Sequence, residues 1–381
     1  MPWQEVSTVQ LRKEFVALAK QDGANVRQLC KRYGISPSTA YKWLGRHGRG
    51  EGLVDRSRRP HGSPGRSDEA VEQAVVAMRD EHPAWGARKI KHRLETLGQK
   101  TPTVSTVHAI LMRYGRISAT ADATANAAFQ RFEHAAPNDL WQMDFKGHFA
   151  LQQGRCHPLT ILDDHSRYNL CLAACMEESR QTVQAHLIAT FRRYGLPWRM
   201  TMDNGPPWGS ASCTYSRLDV WLMKQGIRVG HSRPYHPQTQ GKDERFHRTL
   251  RVEVLQGRTF EDVPKTQSAF DRWRHVYNHQ RPHEALDMGV PAQRYRPALR
   301  AYQEHPPAPE YEDPHRVRRV QDGGLVAWKG HDYCVGTAFI GEPVAVRATT
   351  DARVMQVYWS SVLIACLHLS QHTSQYGREL A

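Results

Sequence analysis

The chain has 381 residues, more than one ordinary domain holds, so two to four domains are expected. It has no run of 18 or more apolar residues and no apolar signal core near Met1, so neither a membrane span nor secretion is expected, and a cytoplasmic location is. The net charge is +14 and unevenly placed: residues 1–117 hold 21 Lys and Arg against 11 Asp and Glu, the other 264 residues 31 against 27. That excess points to a polyanion partner, most simply nucleic acid. Seven scattered cysteines without a C-x-x-C read as reduced thiols rather than disulfides or a zinc site.

Residues 1–50 read as a helix-turn-helix unit. "STVQLRKEFVALAKQDG" sets Leu11, Phe15, Leu18 and Ala19 on one helical face, with Ser7 as N-cap and Gly23 as stop. A helix over 25–33, a turn at Gly34-Ile35-Ser36 and a helix over 37–46 follow, with Ser36 as cap and Pro37 in the first turn. In such a unit the second helix enters the major groove, which makes Ser38, Thr39, Tyr41 and Lys42 the candidate DNA readers. Residues 51–66, rich in Arg, Gly and Pro, read as a basic linker or arm. Residues 67–117 read as a second helical module, either a further DNA-binding unit or a spacer, and 118–137 as an Ala-rich linker.

From 138 to 300 the pattern is α/β. Strands are expected at 139–149, 157–164, 168–175, 198–203 and 227–232, and helices at 180–194, 214–225, 240–256 and 264–279, which together imply a mixed sheet flanked by helices. Residues 301–315 read as a Pro-rich linker, and 316–381 as short strands of a small β-barrel that could bind DNA or a second subunit.

Three carboxylates draw attention. In "LWQMDFKGHF", alternation turns Trp141, Met143 and Phe145 one way and Gln142, Asp144, Lys146 and His148 the other. In "RMTMDNGPPWG", Asp203 ends its strand before an Asn-Gly turn. Two carboxylates at the ends of adjacent strands repel each other unless a cation lies between them. In "HPQTQGKDERFHRTLR", Glu244, Arg248 and Arg251 share one helical face, and Phe246, Leu250 and Val254 form another suited to packing on the sheet. Hard oxygen donors suit Mg²⁺ or Mn²⁺, and two such ions can drive an in-line phosphoryl displacement. Turn or cap chemistry for the two aspartates, and a solvated helix face for Glu244, are the plainer readings of the same residues.

"DLWQMDFKGHF", "LTILDDHSRY", "TMDNGPPWG", "SRPYHPQTQGKDERFHRTL" and "YNHQRPHEAL…PAQRY" together resemble bacterial insertion-sequence transposases related to retroviral integrases, and the resemblance covers nearly the whole chain. It implies an RNase H-like core, an acid triad of Asp144, Asp203 and Glu244 holding two Mg²⁺ or Mn²⁺ ions, and DNA contacts from Lys242, Arg248 and Arg251. It implies binding of terminal inverted repeats, metal-dependent hydrolysis and 3′-hydroxyl strand transfer into target DNA by a nucleoid-associated homo-oligomer. No nucleotide cofactor is expected, since no G-x-x-x-x-G-K-[ST] occurs. The alternative is a DNA-binding regulator with an unused catalytic core. The 58 residues between Asp144 and Asp203 fit the family; the 40 between Asp203 and Glu244 exceed the spacing in many members, and Asp243 is the local rival of Glu244. Asp163 and Asp164 read as structural, and "PYHPQTQG" as a mobile loop beside the site.

Overall fold

The computed structural model describes residues 7–56, 66–117, 133–203, 205, 207–208, 215–231, 241–313 and 316–376. The chain divides into two units, Met1–Arg66 and Ser67–Ala381.

The first unit is three helices, α1 (Thr8–Ala19), α2 (Val26–Tyr33) and α3 (Pro37–Gly48). Each start is capped by the side chain of Ser7, Asn25 or Ser36, which satisfies an amide the helix cannot. Gly34 ends α2 in the left-handed region (φ 61°), a conformation that costs a residue with Cβ and lets the chain reverse into α3. Phe15, Val16, Cys30, Ala40, Trp43 and Leu53 form its core.

The second unit opens with α4 (Glu69–Glu81), α5 (Ala87–Thr96) and α6 (Val104–Arg113), packed around Trp85, Ile90, Val107 and Ile110. Buried Glu72 is neutralised by Arg113 and accepts from the Tyr114 hydroxyl at 3.0 Å. Next comes a mixed sheet of β1 (Leu140–Phe145), β2 (Phe149–Ala150), β3 (Arg155–Asp163), β4 (Asn169–Cys175), β5 (Arg199–Met202) and β6 (Arg228–His231). β1, β3 and β4 pair antiparallel; β1, β5 and β6 pair parallel. The expected mixed sheet is therefore present. β3 and β4 are buried almost throughout because helices cover both faces.

α7 (Arg180–Tyr194) and α8 (Arg217–Lys224) pack on one face against Trp141, Met143, Ile161 and Met200. α9 (Gly241–Leu250), continued by a π-helical turn over Arg251–Leu255, and α10 (Val263–His279) cover the other. Phe246, Leu250 and Val254 point into that layer, as the helical periodicity requires. Burying Phe246 alone stabilises by roughly 2–3 kcal/mol. Val276 of α10 also packs against the α4–α6 core.

The C-terminal strands are β7 (Val317–Arg319), β8 (Leu325–Trp328), β9 (His331–Cys334), β10 (Pro343–Ala348), β11 (Val354–Trp359), β12 (Val362–His368) and β13 (Thr373–Tyr376). They do not form the closed barrel expected from sequence. β13, β12, β11, β10 and β7 make an open antiparallel sheet, and β8–β9 is a separate hairpin. Between β7 and β8, Gly323 (φ 81°) and Gly324 (φ 76°) turn the chain in the left-handed region. At Gly324 a Cβ would lie 2.6 Å from the Gly336 backbone, so only glycine fits there. Val220 and Met223 of α8 join the core of this region, and Lys224 pairs with Glu342 at 2.6 Å.

Candidate active site

β1 carries Asp144 because alternation spends its other face on the core: Trp141 and Met143 are fully buried. Asn138 fixes the strand's entry. It adopts φ 67°, donates its amide to Asp163 Oδ2 at 2.7 Å, and accepts at Oδ1 from Trp141 Nε1 and the Tyr295 hydroxyl, each at 3.1 Å. β5 lies beside β1 in parallel, with Leu140 opposite Arg199, Trp141 opposite Met200 and Gln142 opposite Thr201. Carried two residues on, this register sets Asp144 beside Asp203, with the strands about 4.8 Å apart.

Asp203 is tied down from behind. His231 Nδ1 donates to the Asp203 carbonyl at 2.8 Å, and its Nε2 lies 3.1 Å from Asp219 Oδ1. Asp219 and Ser216 form a capping box at the start of α8, and Ser216 Oγ donates to the Trp208 carbonyl at 2.8 Å. Trp208 in turn packs on Phe145 of β1, with ring centroids 5.2 Å apart. The far end of the segment after Asp203 is thus fastened back onto the strand that bears Asp144.

The electrostatics of the pair are strained. The Asp144 carboxyl is pushed up to about 7, first by burial and then by Asp203; Glu178 and Glu244 add smaller terms, and the Phe145 amide opposes them. Asp144 is 23 % exposed, enough to meet a ligand from solvent.

The helix-borne acids differ from each other. Glu244 is exposed at the start of α9, whereas Asp243 is buried and its Oδ1 has no hydrogen-bond partner among the described residues. Burial, then Asp144 and Asp164, raise the Asp243 carboxyl well above the usual range. Among the described residues, no three His, Cys, Asp or Glu side chains already converge as a metal cluster. The donor set still fits a hard divalent cation: two strand-end carboxylates whose repulsion a cation relieves, and a mobile-length glutamate on the adjoining helix. Asp144, Asp203 and Glu244 would hold it.

Lys242, expected from sequence to contact DNA, is engaged within the protein. Its ammonium pairs with Asp164, which also accepts from Gln142 Nε2 at 2.8 Å and the His134 amide at 3.0 Å. Asp163 accepts from the Ser166 amide and hydroxyl and the Asn138 amide, so this acidic pair ties loops and helix together. Arg248 and Arg251 are exposed on the side of Glu244, and Arg251 lies near enough to Lys146 to lower the latter's ammonium after burial. In the first unit Ser38, Tyr41 and Lys42 are exposed at the start of α3; Thr39 is half-buried, its hydroxyl 2.9 Å from Ser36 Oγ. The segment "PYHPQTQG", with His236, lies outside the described residues up to Gly241.

Sequence reasoning missed His247. Its ring is lowered to about 4 by burial and then by Lys146, and its Nε2 lies 2.9 Å from Thr160 Oγ1. Its place three residues after Glu244 was the available signal.

Comparison with known proteins fits this architecture. Residues 134–237 and 225–291 match integrase core domain families, and 315–375 match the IS481 family transposase C-terminal domain. Residues 11–61 match a helix-turn-helix domain and 39–111 a homeodomain-like domain. An insertion element IS407 protein of Burkholderia multivorans is 27% identical over 158 residues, and an IS476 protein of Xanthomonas euvesicatoria 30% over 159. The chain is thus similar to insertion-sequence proteins and matches an integrase core and a transposase C-terminal domain.

The alignments cover 42% and 41% of this chain, and it spans about half the length of those curated relatives, 55% and 44%. Among solved structures, the HTLV-2 integrase catalytic core domain in complex with magnesium aligns over 42% of this chain and 99% of its own, at 14% identity and a TM-score of 0.33. A simian T-cell lymphotropic virus intasome chain aligns over 76% of this chain and 97% of its own, at 18% identity and a TM-score of 0.35.

Proposed function

We propose that this protein is a transposase that binds the terminal inverted repeats of its element, hydrolyses a phosphodiester at each end and joins the freed 3′-hydroxyl to target DNA. The observation that carries the reading is the register of β1 on β5, which continued two residues brings Asp144 beside Asp203; burial and then Asp203 raise the Asp144 carboxyl to about 7. Such a pair holds a divalent cation better than it holds two bare charges.

In the first step a water oxygen attacks phosphorus and the P–O3′ bond breaks, leaving a 3′-hydroxyl. In the second, that hydroxyl's oxygen attacks a target phosphorus and displaces its 3′ oxygen. Two bound Mg²⁺ or Mn²⁺ ions supply activation of the attacking oxygen and stabilisation of the leaving one. Asp144 and Asp203 fix the place of attack, and Glu244 turns in from its exposed position to complete the set. Arg248, Arg251 and Lys146 meet phosphates around it, and Ser38, Thr39, Tyr41 and Lys42 read the repeat. Lys242 acts indirectly, by holding the start of α9. Two DNA ends require two sites, hence a homo-oligomer.

The test is a strand-transfer assay with Mg²⁺ and labelled terminal DNA. Asp144→Asn, Asp203→Asn and Glu244→Gln are each expected to abolish joining while leaving terminal-DNA binding intact. Metal-independent joining would sink the reading. Specific DNA binding by the wild-type chain with no cleavage or joining in any divalent metal would establish the regulator instead.

A further inference from the structure

His247 lies one turn beyond Glu244 on α9, on the side that faces β1 and β3. Its side chain is 13 % exposed and its two ring nitrogens have different neighbours. Nε2 lies 2.9 Å from Thr160 Oγ1, and that hydroxyl lies 3.0 Å from the main-chain carbonyl of Asp144. Thr160 stands directly opposite Asp144 in the β1–β3 ladder, so this geometry is fixed by the sheet.

The hydrogen-bond network assigns the tautomer. A carbonyl only accepts, so the single Thr160 hydroxyl proton goes to Asp144 O. The Thr160 oxygen must then accept from His247, which places the ring proton on Nε2 and leaves a lone pair on Nδ1. Nδ1 faces Asp144 Oδ2 at 3.9 Å, beyond hydrogen-bond distance. A nitrogen lone pair and a carboxylate oxygen that face each other across such a gap both seek the same thing, a positive centre between them. Metal–ligand bonds of about 2.0–2.2 Å each place two donors on one ion roughly 3–4 Å apart.

We propose that His247 Nδ1 is a donor to the divalent ion held at Asp144, so that the site carries a nitrogen ligand beside its carboxylates. This rests on the metal-dependent reading above. Thr160 is the positioning residue that fixes the ring: its hydroxyl links the Asp144 backbone to the imidazole, as outer partners of metal-binding histidines do. One imidazole among oxygen donors shifts preference from Mg²⁺ toward Mn²⁺ and later first-row ions.

The experiment uses the full chain titrated with Mn²⁺, read by electron spin echo envelope modulation and by binding affinity. Wild-type protein is expected to show ¹⁴N coupling to bound Mn²⁺. His247→Gln should lose the coupling and weaken Mn²⁺ on the order of tenfold, with a smaller loss for Mg²⁺. Thr160→Val, which keeps the imidazole and removes its orienting hydroxyl, should weaken Mn²⁺ in the same direction. Bound Mn²⁺ without ¹⁴N coupling, or coupling that persists in His247→Gln, overturns the assignment of His247 and leaves the carboxylate site standing. No Mn²⁺ bound above the level of Asp144→Asn overturns both readings. Should His247→Gln fail to fold, ¹⁵N-histidine labelling of the wild-type chain decides: coupling that does not change from ¹⁴N to ¹⁵N overturns the proposal.

Discussion

The end of the β-sheet and the start of α9 position their acids by opposite means. Asp144 and Asp203 are placed by a hydrogen-bonded ladder, and Asp203 is further held through His231, Asp219 and Trp208. Their position is set before any ligand arrives, and its cost shows in the raised Asp144 carboxyl. On α9 position is set by one turn of helix. There a single residue step separates a buried acid, Asp243, from an exposed one, Glu244. The sheet supplies a closely set pair; the helix supplies one exposed acid and one buried acid whose carboxyl burial raises. On the proposed function, two pre-organised ligands and a third on an exposed helix turn would suit a site that admits and releases DNA.

The comparison breaks most sharply at the rigid pair. Asp144→Asn and Asp203→Asn are each expected to reduce strand transfer on the order of a thousandfold or more, about 4 kcal/mol in the barrier, with terminal-DNA affinity unchanged in a gel shift. Glu244→Gln belongs with them if the helix acid turns in. Joining by Glu244→Gln at wild-type rate would remove it from the site.

Lys242→Met tests the anchor of the helix. Asp164 is 1 % exposed and Lys242 18 %, so removing the cation strands a buried carboxylate. A loss of roughly 3 kcal/mol in urea unfolding is expected, together with weaker Mn²⁺ binding because Glu244 follows Lys242 by two residues. Lys242→Arg should recover part of both. An unchanged unfolding midpoint in Lys242→Met would show that the pair does not hold α9.

The pH dependence of stability sharpens the description of the pair. In the metal-free protein Asp144 has a folded value of about 7 against an unfolded value near 3.8. The folded state therefore binds the extra proton between those values. The contribution of Asp144 to stability is full below about pH 4 and is lost as pH rises toward 7, by at most about 1.4 kcal/mol per pH unit. Denaturant unfolding in EDTA is expected to show this fall, Asp144→Asn to flatten it, and Mg²⁺ to offset it near pH 8. Equal slopes for wild type and Asp144→Asn would contradict the crowding of the two carboxylates.

What the sequence made legible follows the same division. Strict alternation around Trp141, Met143 and Phe145 placed Asp144 on its face, and the parallel pairing of β1 with β5 then follows from an α/β pattern. Helical periodicity put Phe246, Leu250 and Val254 on the sheet. Partners supplied from distant segments were not legible: Lys242 looked like one more basic residue in a basic run, and only the fold brings it to Asp164, 78 residues away. His247 likewise needs Thr160, 87 residues away, to acquire a defined tautomer. The open C-terminal sheet was hidden for another reason. Short strands announce a small β-domain, but which strands pair, and whether the outer two meet, is a long-range matter that strand patterns do not carry.

The smallest expected effect separates the two neighbouring acids of α9. Asp243 has a buried oxygen without a partner among the described residues and a carboxyl raised by burial, Asp144 and Asp164, so it costs stability whenever it is ionised. Its stabilising contribution is present below the unfolded value of 3.8 and lost as pH rises toward the folded one. Asp243→Val fills the same buried space without the charge. It should raise stability by about 1–2 kcal/mol at pH 8 and by less at pH 5, read by chemical unfolding. Strand transfer should survive it, since the exposed neighbour supplies the acid. If Asp243→Val abolishes Mn²⁺ binding and joining while Glu244→Gln keeps both, the buried residue is the third ligand, and α9 is as fixed at the site as the sheet is.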